Sequence, residues 1–170
     1  IDPALTSTLV GANAAIMLYD GLTETDADGK LVGAVAEKWT TKDKGLTWVF
    51  TLKKGLKFSN GEDVLPSSFV AGWKRAVDPK LASEVAYHSY FIAGMEDYNT
   101  GKGSFPTASV VANDTARTLT VKMVSATTDW PSIVSHTVFS PIPKSMDGAS
   151  AKIEEDGTKL VGNGPFMLDK

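Results

Sequence analysis

The chain has 170 residues, 42% of them hydrophobic and 22% charged, with a net charge of −3 and no Cys. It is long enough to bury about 70% of its unfolded surface, while the acidic balance, with no basic run beyond Lys53-Lys54 and Lys74-Arg75, argues against a nucleic-acid partner. Zero Cys excludes disulfides, thiolate metal sites and Cys nucleophiles, and no apolar run approaches the ~20 residues of a membrane helix.

The chain opens at Ile1 rather than Met, so the lack of a signal peptide carries no information about compartment. "IDPALTSTLVGANAAIMLYDGL" begins extended around Pro3. Leu9, Ala12, Ile16 and Tyr19 then recur at helical spacing, and Gly21 is placed to stop the helix. "TETDADGKLVGAVAEKW" is turn-rich, with a tight turn at Asp28-Gly29. The clearest strand follows, where Leu46, Trp48, Phe50 and Leu52 alternate with Thr47, Val49 and Thr51. "KDKG" links it as a hairpin to a strand near residues 39–41.

In "FSNGEDVLPSSFVAGWKRAVDP", Gly61 makes a turn and Pro66 suits the first position of a helix. Phe69, Trp73 and Ala76 or Val77 form its apolar stripe. Leu65 has no side chain to cap that helix, a defect costing about 1 kcal/mol unless Ser67 or Ser68 caps a shifted start. "LASEVAYHSYFIAGMEDYNTGKGSF" reads as a second helical region closed by a flexible Gly-Lys-Gly loop. "ASVVANDTARTLTVKM" is a hairpin turning at Asn113-Asp114, with Leu119, Val121 and Met123 alternating outward. "DWPSIVSHTVF" is a short helix with Pro131 in its first turn, and "SPIPKSM" is extended. The tail "EEDGTKLVGNGPFMLDK" holds an apolar, strand-like piece. These elements predict an α+β fold, a mostly antiparallel sheet with flanking helices, and two chain ends outside that sheet.

Sites of chemistry are scarce. Glu24, Asp26 and Asp28 would fall at the first three ligand positions of a calcium loop, but the twelfth position is Val35, so the run reads as a solvated turn. "GKGS" and "GNGPF" lack the spacing of phosphate loops. His88 and His136 are the only imidazoles, and no Gly-x-Ser-x-Gly elbow is present. Glu154, Glu155 and Asp156 read as a solvated face rather than a catalytic carboxylate pair. No catalytic residue, metal site or cofactor is expected. Trp39, Trp48, Trp73 and Trp130 read as core, whereas Tyr87 and Tyr90 lie beside His88 in a more polar stretch.

In order and spacing, "IDPAL", "LYDGLTETDADGKLVGAVAEKW", "GLTWVFTLKKGLKFSNGEDVLPSSFVAGWKRAVDP", "YNTGKG", "ARTLTVKM", "FSPIPK" and "LVGNGPFMLDK" resemble the oligopeptide-binding branch of the family 5 bacterial extracellular solute-binding proteins. The resemblance covers the whole chain. It implies a non-catalytic, monomeric receptor of an ABC importer that works outside the cytoplasmic membrane, in the periplasm or held at the outer face as a lipoprotein. Its partners would be a peptide ligand and the membrane permease. Intact members carry two α/β lobes of the type II periplasmic-binding-protein kind, with an extra domain inserted in the first. Residues 1–19 and 144–170 would then belong to the first lobe and residues 20–143 to the inserted domain, with the second lobe absent from this chain.

The same resemblance points to ligand-facing residues. The segment after "IDP" lies at the cleft, which nominates Thr6, Ser7, Thr8 and Leu9. "SEVAYHSY" stands where relatives often carry "SPYA", whose Tyr reaches the ligand; Glu84-Val85 replace that Pro-Tyr pair, leaving Tyr87 as the substitute. His136, ahead of "FSPIPK", falls near the lobe junction, where a place at the cleft edge competes with the stronger reading of structural packing. Other ligands of the family (a dipeptide, a nickel chelate, a sugar, a signalling peptide) and a stand-alone interaction module are the competing readings.

Overall fold

The computed structural model describes residues 1–147 and 160–167. Helix α1 (Leu9–Leu18) is followed by a two-stranded hairpin, β1 (Thr23–Thr25) and β2 (Leu31–Gly33). Its turn is built by Asp26, whose carboxylate accepts the N–H groups of Asp28 and Lys30, while Gly29 takes a left-handed φ of 77°. The acidic run thus spends its best-placed carboxylate on the turn itself.

The main sheet is four-stranded and antiparallel, in the order β3-β4-β6-β5. It comprises β3 (Ala36–Thr41), β4 (Thr47–Leu52), β5 (Val110–Asn113) and β6 (Thr118–Lys122). Strand β4 follows the expected alternation, with Trp48, Phe50 and Leu52 buried. Register places Phe50 opposite Leu119 and Trp48 opposite Val121, which in turn faces Val110. Leu119, Val121 and Met123 therefore point inward and are buried, contrary to the outward alternation expected from the sequence. Period two cannot say which face is wet, and here the partner strand decides.

Helix α2 (Pro66–Ala76) covers the buried face of the sheet with Phe69, Trp73 and Ala76, all fully buried. Its start answers the capping defect in an unforeseen way. Pro66 has no N–H, and the next amide, Ser67 N, donates to Asp114 Oδ1 at 2.9 Å while Ser67 Oγ donates to Oδ2 at 2.7 Å. The cap comes from the β5–β6 turn, 47 residues away, and it brings a negative charge to the positive end of the helix dipole.

The strap around Pro141 and Pro143 lies extended against α2, where Ile142 N donates to Ser68 O at 3.1 Å. Gly72 makes that approach possible, since a Cβ there would sit 2.3 Å from Ser140 O. Trp73 anchors the deepest packing: its ring meets Trp130 and Phe139 edge-on at 6.3 and 5.4 Å, and its Nε1 donates to Phe139 O at 2.7 Å. Trp130 and Phe139 belong to α4 (Trp130–Ile133) and to a 3₁₀ turn (Thr137–Phe139).

Three expectations change. The second helical region is a 3₁₀ helix (Ala86–Phe91) and a short α3 (Met95–Asn99), because Gly94 at φ 86° breaks the run. The Gly-Lys-Gly loop is held in place, with Lys102 and Gly103 N–H both donating to Asp97 O. Within residues 160–167 no strand forms. Instead Gly164 N donates to Leu18 O and Phe166 N to Met17 O, while Asn163 exchanges two hydrogen bonds with the backbone of Asp20. Glycines at 162 and 164 permit this crossing, since a Cβ at either would lie under 3 Å from the Leu18 backbone. Glu154, Glu155 and Asp156 fall outside the described residues.

Helix α1 also departs from expectation. It ends at Leu18, with Tyr19 already extended, so Gly21 is not its stop. Its buried side is Ala15 and Leu18, while Leu9 and Val10 are 79% and 80% exposed and Ile16 and Met17 are also exposed. The helix is apolar around its whole circumference, so spacing alone cannot select the inward face.

A buried ion pair holds the N-terminal segment. Arg75 Nη1 and Nη2 donate to Asp2 Oδ1 and Oδ2 at 2.9 and 2.5 Å, with both side chains more than 90% buried. Arg75→Met should destabilise the chain by roughly 3–5 kcal/mol, because it leaves Asp2 charged and buried; adding Asp2→Leu should recover most of that loss. Asp114→Ala should cost about 1 kcal/mol by removing the α2 cap. Urea denaturation of the three variants checks both expectations.

Candidate functional site

From Asp2 the chain passes through a tight local structure before α1. Ala4 N donates to Asp2 Oδ1, Leu5 N to Asp2 O, and Thr6 Oγ1 also donates to Asp2 O at 2.7 Å. Thr8 is the N-cap of α1, its hydroxyl oxygen accepting from Gly11 N at 3.2 Å. Of the nominated residues, Thr6 is half-buried with its hydroxyl committed to structure, whereas Ser7, Thr8 and Leu9 are exposed. The segment thus presents a polar edge held in a defined shape by Asp2, the residue that Arg75 grips.

Tyr87 and His136, 49 positions apart, come together through a third ring. Tyr87 and His88 are stacked with centroids 4.3 Å apart, and His88 stacks on His136 at 4.2 Å with an interplanar angle of 26°. At the inner end, His136 caps the 3₁₀ turn over Thr137–Phe139, its Nδ1 accepting from Val138 N at 3.2 Å. At the outer end, Tyr87 is 57% exposed. In the sequence His88 stands out only as one of two imidazoles, and no spacing rule signals its role. Neighbours in a helix do not normally face each other, and its inner partner lies in another element.

Two contacts place this column on the same side as the N-terminal segment. Ser83 Oγ, just ahead of the 3₁₀ helix, donates to Ala4 O at 2.5 Å, and α1 packs beside the turn that His136 caps. Ser89 Oγ and Thr137 Oγ1, next to the column in sequence, are buried without a hydrogen-bond partner among the described residues. No cluster of three or more metal-ligating side chains occurs among the described residues, nor is any helix there long and apolar enough to cross a membrane.

The architecture agrees with what known proteins show. Residues 30–170 match the family model described as bacterial extracellular solute-binding proteins, family 5 Middle. The chain belongs to that family. A dipeptide-binding protein of Bacillus subtilis is 36% identical over 151 residues, covering 89% of this chain and 28% of the relative. The oligopeptide-binding protein OppA of the same organism is 34% identical over 170 residues, covering 99% of this chain and 31% of its own length.

Among solved structures, Haemophilus influenzae OppA in complex with RPPGFSPFR aligns with a TM-score of 0.89 at 31% identity, over 99% of this chain and 33% of that one. The substrate-binding domain of a Bacillus anthracis oligopeptide ABC transporter aligns at 0.90 and 29% identity, over 98% of this chain and 32% of that one. The chain therefore spans about a third of the length of the relatives it matches, and all of these are binding proteins by name.

Burial pushes both imidazoles below their ordinary pKa range, and His88 adds to the effect on His136. The unfolded chain therefore takes up protons on these rings at higher pH than the folded chain does. Their contribution to stability is intact above about pH 6.5 and is lost as pH falls through that value toward the depressed folded pKa values. His88→Phe keeps a ring in the column but removes one proton site. The fall in urea midpoint between pH 7.5 and 5 should be shallower in this variant than in the parent, and equal slopes would contradict the assignment.

Proposed function

We propose that the chain is part of the substrate-binding component of an ABC importer that captures peptides outside the cytoplasmic membrane and passes them to a permease. The observation that carries this reading is the match of essentially the whole chain, at a TM-score of 0.89, to a receptor solved with a nine-residue peptide. Relatives named for dipeptides and for oligopeptides both match at 34–36% identity, so the reading is framed at the level of the peptide backbone rather than of ligand length.

In this reading Thr6, Ser7, Thr8 and Leu9 face the ligand, with Tyr87 and His136 in the wall beside them. The exposed residues Ser7 and Thr8 suit an extended peptide, whose main chain supplies affinity irrespective of sequence. The receptor is monomeric and non-catalytic, and it needs no cofactor. Residues 1–19 and 144–170 belong to the first lobe and residues 20–143 to an inserted domain. The apolar outer side of α1 supports that division: Val10, Ile16 and Met17, with Phe166 hydrogen-bonded alongside, form a face that a further part of a lobe would cover.

Ligand capture in a two-lobed receptor draws on contacts from both lobes, which shift an open–closed equilibrium. Isothermal calorimetry should therefore show peptide binding by the protein at its native length and little or none by the 170-residue chain. Micromolar affinity in the isolated chain would contradict the two-lobe reading, and no binding at native length would contradict the peptide reading.

A further inference from the structure

We propose that the Tyr87–His88–His136 column is a stacking ledge that selects ligands carrying a flat side chain, either an aromatic ring or a guanidinium. The proposal deepens the peptide reading above and rests on it.

The column is anchored at its inner end and open at its outer one. His136 is held by the hydrogen bond from Val138 N to its Nδ1, and the three residues that follow it, Thr137, Val138 and Phe139, are buried. His88 is fixed between two rings at 4.2 and 4.3 Å. Tyr87 therefore has one face committed to His88, while the side chain as a whole remains 57% exposed. A ring already stacked on a fixed partner loses little conformational freedom when a ligand arrives, which is the condition under which aromatic contacts contribute most to affinity.

The chemistry of the open face narrows the choice of ligand group. Planar π-systems favour offset stacking on such a ring, and a guanidinium is attracted to its negative face. The column carries no fixed charge that would change this preference, since both imidazoles are held toward their neutral form by burial. A branched aliphatic side chain of similar size gains apolar contact but not the face-to-face geometry. The discrimination expected from one such contact is roughly two- to tenfold in Kd.

The test uses the protein at native length and a set of tetrapeptides, each position in turn carrying Trp, Arg, Leu or Ala, with binding read by calorimetry. At one position Trp, Arg or both should bind about two- to tenfold more tightly than Leu. Tyr87→Ala should abolish that preference, and Tyr87→Phe should retain it. Preference for Trp alone assigns the ledge to aromatic groups, and preference for Arg alone to guanidinium. Binding with no planar preference at any position, or a preference that survives Tyr87→Ala, overturns the ledge and leaves the peptide reading standing. Failure of every tetrapeptide to bind overturns both.

Discussion

Arg75 reaches from the last turn of α2 to Asp2, the second residue of the chain, and the two form a buried bidentate pair. A buried pair of this kind adds little net stability over an apolar replacement, but it is costly to break and unforgiving of geometry. Its consequence here is positional. Asp2 also collects the Ala4 amide on its carboxylate and the Leu5 amide and Thr6 hydroxyl on its carbonyl. The shape of the segment leading to Thr8 and α1 is thus referred back to the helix that packs on the central sheet. Further ties of residues 1–8 among the described residues run from Ser83 to Ala4 O and from Tyr19 OH to Ile1 O, and Ala4 is buried in the main core.

The same helix also holds the chain segment that ends the ring column. Trp73 joins the sheet to the chain segment that carries His136, through edge-on contacts with Trp130 and Phe139. A single turn of α2 therefore carries both the support of the ring column, Trp73, and the anchor of the N-terminal segment, Arg75. The two halves of the proposed ligand wall share one rigid support, the arrangement in which a binding surface keeps its geometry at low entropic cost.

Much of the scaffold was legible from residue patterns. The alternation of Trp48, Phe50 and Leu52, the stripe of Phe69 and Trp73, and Pro66 at a helix start are local signals, and each element formed where they point. What failed was information held elsewhere in the chain. The inward turn of Leu119 depends on pairing with Phe50, and the cap of α2 depends on Asp114. The buried face of α1 could not be read because the helix is apolar all round. On the wall itself, family likeness nominated Tyr87 and His136 separately. Their union through His88 needed a 3₁₀ geometry and a partner 48 residues distant, for which a linear pattern has no signature.

The account stands or falls on whether the N-terminal edge and the ring column face one ligand together. The most direct measurement is a crystal structure of the native-length protein with a bound peptide containing Trp or Arg. The account predicts peptide backbone running past Ser7 and Thr8 with a flat side chain lying over the open face of Tyr87. A peptide seated elsewhere, with Ser7, Thr8 and Tyr87 all still in solvent, would contradict it.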